Sequence, residues 1–264
     1  MRTARWLPFP VAVLVMVAAA GGLFVPAIYG RETASWTAQG LGQDVVDLVL
    51  AGPALAIAAA FALAGGRRAR IVTTGLLLYT TYSFAIYAFA VHFNALFLVY
   101  CAVLGGSTFA LVASLRGLAA DSPASWFAPG APLRAASVTL YAIAGVFGAL
   151  WLAQIVPALV AGRDPAGLAE TGLMVNPVHV LDLALLLPAM IVAASGLRHR
   201  RPLALVLAPV LLVFAVMMAI AIAGMVVAMS LRGLATDPTP VIAMAVIATA
   251  SGAVAIALLR RLAS

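Results

Sequence analysis

Apolar residues run through this chain in long unbroken stretches, not in the alternation of a half-buried strand or the single stripe of a surface helix, and each stretch ends at an arginine, proline or glycine cluster. A helix crosses the hydrocarbon core of a bilayer in about 20 predominantly apolar residues. Eight segments meet that length: 7–29, 42–64, 71–91, 93–115, 135–159, 177–197, 202–230 and 239–259. Only His92, Phe93 and Asn94 mark a turn between the third and fourth, but the joint run of about 45 residues is too long for one crossing, because tilt absorbs only a few residues of excess. The expected fold is therefore all-α and polytopic, with about eight transmembrane helices. The first segment also has features of a secretory signal, a basic lead and a small-residue site at Ala18-Ala19-Ala20, but its apolar run continues through Val25, which predicts a retained helix.

Arginines give the direction. Numbering the loops alternately from the amino end, one side holds Arg2, Arg5, Arg67, Arg68, Arg70, Arg116, Arg134, Arg198, Arg200, Arg201, Arg260 and Arg261, and the other only Arg31, Arg163 and Arg232. Cytoplasmic loops carry the positive excess. Both termini are thus expected in the cytoplasm, with the chain in the inner (plasma) membrane. A frame error of one helix would scramble this segregation, so the arginines support the count as well. All the acids except Asp121 fall on the outer side.

Two blocks of the chain resemble each other. Asp47-Leu-Val-Leu-Ala-Gly-Pro-Ala matches Asp182-Leu-Ala-Leu-Leu-Leu-Pro-Ala, with aspartate and proline at the same spacing; Val25-Pro26-Ala27 before Gly30-Arg31 matches Val156-Pro157-Ala158 before Gly162-Arg163; and Leu115-Arg116-Gly-Leu-Ala resembles Leu259-Arg260-Arg-Leu-Ala. Three blocks in one order predict two four-helix repeats, residues 1–122 and 123–264. An even number of helices per half makes the repeats parallel, related by an axis along the membrane normal. Small residues allow close helix approach in lipid, and Gly105, Gly106, Gly145, Gly148 and Gly224 are candidates.

Composition agrees with a bilayer as the solvent: of 264 residues 65% are hydrophobic and 9% charged, and mean hydropathy is +1.15. The net charge of +7 lies in short loops and not on one soluble face, which argues against nucleic acid as a partner. The lone Cys101 precludes an internal disulfide or a cysteine metal cage. The arginine-only basic set, with no lysine, and the alanine excess are those of a GC-rich bacterial genome.

Ionisable groups inside a membrane are costly, and they usually face the bundle interior with a partner. The candidate ligand-binding residues are Asp44, Asp47, His92, Asn94, His179 and Asp182. The block match sets Asp44 opposite His179 and Asp47 opposite Asp182, each pair three residues apart and so on one helix face. Capping offers a plainer role for some: Asn176 before Pro177 reads as an N-cap, and Asp44 with Asp47 could cap a helix starting at Gly42. Asp182 is too deep to cap, and its expected partner is His179 or the His92–Asn94 turn, with Asp47 approaching the same cavity. Polar residues Thr73, Thr80, Ser83 and Tyr87 read either as a polar wall leading to that turn or as helix-packing hydroxyls. Tyr79, Tyr82, Phe84 and Phe89 read as core or interfacial aromatics, and Trp6, Trp36 and Trp126 as interface anchors.

Two histidines with these aspartates suit a divalent ion in ligand type, but His-x-x-Asp spacing does not specify one and no HExxH occurs, so no metal is assigned. Haem between His92 and His179 fits poorly, both lying at helix ends. No phosphate-cradling loop or nucleophile elbow is present, and neither cofactor nor catalytic residue can be named. The leading function is binding or transport of a small polar solute, cation or proton at an outer-face Asp/His site. The alternative is a membrane-embedded enzyme using that site, with or without metal, on a lipid-linked or extracytoplasmic substrate; a structural subunit docking a partner at its polar mouth is a third.

Overall fold

Within a bilayer there is no water to satisfy the backbone, and a helix satisfies it within one segment. The computed structural model describes residues 5–235 and 237–262, and it is helical throughout apart from short connections. The helices are α1 (Pro8–Phe24), α2 (Ala34–Leu63), α3 (Arg67–Ala90), α4 (Phe97–Ala119), α5 (Leu133–Val160), the short α6 (Ala166–Thr171), α7 (Pro177–Arg198), α8 (Pro202–Leu231) and α9 (Thr239–Arg260). Seven of them are long and apolar enough to cross a membrane, and α1, with 17 residues, is a shorter apolar one. The chain is an all-α polytopic membrane protein. Side chains such as Val13, Val49, Ile57, Phe61, Phe109, Val146, Leu185 and Val246 lie exposed along the helices, as lipid-facing residues do.

The break between α3 and α4 falls where His92–Asn94 predicts it: Asn94 accepts from the backbone N–H of Leu96 and donates to the carbonyl of His92. One boundary differs. α2 begins at Ala34, capped by the Thr33 hydroxyl, which accepts from the N–H of Trp36, eight residues before the expected start. Ser35, Thr37, Gln39 and Gln43 keep hydropathy low over those turns and hide the helix from a length criterion. Asp44 consequently lies about 15 Å beyond the start of the helix, at 1.5 Å per residue, and neither it nor Asp47 is a cap.

Each half closes a ring of four helices. α1 packs on α2 and α4, with α3 packed on both; α5 packs on α7 and α9, with α8 packed on both. The halves meet where α8 lies against α2 and α3. Gly42 and Gly224 set that approach: a methyl at Gly42 would fall 2.5 Å from the Gly224 carbonyl oxygen and 2.6 Å from the Met225 Cα. Gly75 plays the same part against α8, where a methyl would stand 2.9 Å from the Val210 oxygen. Of the glycines expected to ease packing, Gly224 does so at backbone and Gly106 against the Val11 side chain, whereas Gly105 and Gly145 face open space.

The loops sort onto two faces by their own contacts. On one, Arg67 and Arg70 both reach Asp121 at 3.2 and 3.1 Å, Arg67 lies over the Trp126 ring, Arg200 bonds the Phe127 carbonyl, and Phe127 pairs with Leu262. Trp126 is fully buried there, its indole N–H on the Asp121 carbonyl, so it locks this loop and is no interface anchor. Trp6, by contrast, is exposed. On the other face Glu32 binds His92, Thr33 donates to the Glu170 carbonyl, and Trp36 donates to the Ala90 carbonyl at the end of α3. Arg2 lies outside the described residues.

Candidate functional site

Proline has no N–H to give its helix and its ring crowds the carbonyl four residues back, so a helix must adjust just before one. Both matched blocks adjust identically. Residues Asp47–Ala51 and Asp182–Leu186 form a π turn, in which the N–H of Gly52 bonds the Asp47 carbonyl and that of Leu187 bonds the Asp182 carbonyl, immediately before Pro53 and Pro188. A π turn inserts one residue into the helical register, so the aspartate at its start is re-aimed relative to the residues beyond it.

Each of the three intramembrane aspartates is buried, at 6% exposure or less, and each accepts from two neutral donors. Asp44 accepts from the hydroxyls of Tyr29 and Tyr87, both at 2.6 Å. Asp47 accepts from the Tyr79 hydroxyl at 2.6 Å and the Gln43 amide at 3.2 Å, and its second carboxylate oxygen, Oδ2, is buried without a partner among the described residues. Gln43 also donates to Tyr79 and, at 3.5 Å, to Ser83. Asp182 accepts from the Tyr82 hydroxyl at 3.0 Å and the Trp151 indole N–H at 2.8 Å. Among the described residues none of the three has a cationic side chain within ion-pair distance.

A cavity of about 280 Å³ opens between the halves. It runs from Trp36, Val91 and Asn176, near the Glu32/His92 face, inward to Ile143, Phe214 and Met190. Leu140, Leu197, Leu205 and Leu211 are buried and do not line it. Its wall is apolar and aromatic, broken by Gln39, Gln43, Tyr82, Ser83, Asn176 and Asp182. Asp182 is the one aspartate of the three in the wall. Asp44 and Asp47 stand behind it, Asp44 screened by the wall residues Tyr29 and Tyr87, Asp47 by Gln43.

No family model, no curated protein and no solved structure matches this chain.

The six candidate residues therefore separate. Asp182 reaches the cavity, but its partners are Tyr82 and Trp151, not His179. The imidazole of His179 instead packs on Trp151, with ring centroids 4.7 Å apart and planes tilted by 45°, and lies 3.4 Å from the Asn176 amide, so it backs the indole that holds the carboxylate. His92 binds Glu32 at 2.9 Å, and Asn94 closes the turn beside it; neither lines the cavity. Thr73 and Thr80 bond the carbonyls of Ala69 and Leu76 one turn back, the packing role open to them, whereas Ser83 and Tyr87 belong to the polar wall. Among the described residues no three His, Cys, Asp or Glu converge to hold a metal ion. Sequence reasoning missed the tyrosines as donors, and it missed Trp151 and Gln43 altogether. A usable signal was present: Tyr79, Tyr82 and Tyr87 share the helix that follows the Asp44/Asp47 helix, and antiparallel packing sets Tyr79 beside the deeper acid and Tyr87 beside the shallower.

Proposed function

We propose that the chain binds, and carries across the membrane, a small cationic or proton-bearing solute that enters the cavity from the outer face and meets Asp182. The observation that carries this reading is a buried carboxylate in the cavity wall whose only partners among the described residues are neutral donors. Such a charge is costly in a bilayer unless it is matched, and a ligand can match it. A cavity lined from both halves of the chain supports a transport reading, and the shared π turn and ring order support the two-repeat reading of residues 1–122 and 123–264. Asp44 and Asp47 belong to the same polar system by way of Tyr87 and Gln43, while His92 and Asn94 serve the outer rim. In proteoliposomes loaded with a pH dye, an imposed acid step should produce uptake that Asp182→Asn reduces at least about tenfold, equivalent to about 1.4 kcal/mol, at unchanged thermal stability. Uptake indifferent to that change, or lost only because the protein unfolds, would remove Asp182 from the function.

The orientation belongs to the same proposal: inner membrane, arginine face and both ends cytoplasmic. Reporter fusions after Arg68, Ser122 and Arg200 are expected to read cytoplasm, and fusions at Gly30 and Gly162 to read outside. One reversed fusion breaks the eight-pass arrangement.

A further inference from the structure

Resting on that reading, the lining of the cavity narrows what its occupant can be. Trp36, Phe147, Trp151 and Phe214 supply aromatic surface and Met190, Met218, Met225 and Met244 flexible thioethers, and among the described residues Asp182 is the only charged one in the wall. An anion would meet that carboxylate with no arginine to offset it. A bare inorganic cation takes about six oxygen ligands, and carboxylate, amide and hydroxyl oxygens are too sparse here to replace its water. A sugar-like solute would need many hydrogen-bonding groups where the wall is mainly hydrocarbon. What remains is a body with apolar surface and one positive head: the head to Asp182, whose two oxygens each accept one neutral hydrogen bond and keep a further lone pair, and the body against rings and thioethers. Aromatic faces attract cations and methionine adapts to varied apolar shapes, so both wall components suit such a ligand. The volume of about 280 Å³ sits at the lower edge of small-molecule sites, at about 300 Å³, which sets a small ligand.

We infer that the cavity is a binding site for a small organic ammonium ion, with Asp182 as its counter-ion and the Trp151/Phe147/Phe214 surface as the seat of its apolar part. Ala219 lines the same cavity and offers an independent way to block it without touching the carboxylate.

The test uses the purified full chain and two probes of one shape, phenethylammonium and the neutral phenethyl alcohol, followed by titration calorimetry and thermal shift. Phenethylammonium is expected to bind and to raise the melting temperature, with the alcohol at least about tenfold weaker, a difference of about 1.4 kcal/mol. Asp182→Asn should erase that preference, and Ala219→Leu should weaken the ammonium by a similar factor while Asp182 remains. Alcohol and ammonium binding alike, or ammonium binding unchanged in both variants, overturns the inference. Stabilisation by sodium or potassium that depends on Asp182, without any by phenethylammonium, overturns it too while leaving the cation reading standing. If no cation acts through Asp182, both fall. Because Ala219→Leu leaves the carboxylate network whole, a failure of Asp182→Asn to fold does not remove the test.

Discussion

Gly42→Leu should cost the protein more stability than any other single substitution on the inter-half contact. The new side chain would start 2.5 Å from the Gly224 oxygen and 2.6 Å from the Met225 Cα, and these are backbone atoms of a helix that cannot rotate aside. Overpacking a filled interior costs about 1–3 kcal/mol, and collision with backbone belongs at the top of that range or above it. Both faces of the contact are affected, since Val46 already lies where a Gly224 methyl would go. The measurement is the fraction of monodisperse protein and its melting temperature in detergent, with Gly145→Leu as the companion change. Gly145 has nothing within 4 Å, so that variant should behave as wild type. Equal effects from the two would mean that α2 and α8 do not approach as described.

The second large effect concerns Asp44, which among the described residues accepts hydrogen bonds only from Tyr29 and Tyr87. Either tyrosine changed alone to phenylalanine should cost little, because single hydrogen bonds between membrane helices average about 0.6 kcal/mol and reach about 1.7. Changing both strands the carboxylate among Gly22, two phenyl rings and the α2 backbone. Leaving a buried acceptor with no hydrogen-bond donor costs about 1–3 kcal/mol, and more for a charged one, so the double variant should lose more than the sum of the singles. Adding Asp44→Leu to the double variant should recover much of the loss, since the penalty lies in the stranded charge. A strictly additive series, or no recovery, would show that the tyrosines act through packing and not through the carboxylate. Tyr29 and Tyr87 also line the cavity, so in the double variant its wall keeps both rings and loses two hydroxyls.

The helices were legible because apolar length is a one-dimensional property, and the three aspartates because a charge in such a run is rare enough to notice. What surrounds each aspartate was not legible. A tyrosine in an apolar helix reads the same whether its hydroxyl meets a carboxylate or a lipid interface, and only the pairing of α2 with α3 decides between them. Trp151 was lost in an apolar run for that reason, and Gln43 lay outside any expected motif. The start of α2 failed differently: its first turns carry enough polar side chains to resemble a loop, though the Thr33 cap is a local signal that was present. Trp126 looked like an anchor because loops beside apolar runs often hold one, and burial under Arg67 is a tertiary fact.

Tyr79, Tyr82 and Tyr87 all rise from α3, and between them they hold Asp47, Asp182 and Asp44. The first and last are eight residues apart, about 12 Å of continuous helix. A helix is stiff over that length, so α3 is a connecting rod with three clamps, two on one half of the molecule and one on the other. Anything that pulls Tyr82 along the rod axis displaces the other two clamps by the same amount. Asp182 is thereby joined to two carboxylates it never touches, and the join needs no chain of intermediates: it is a single secondary-structure element.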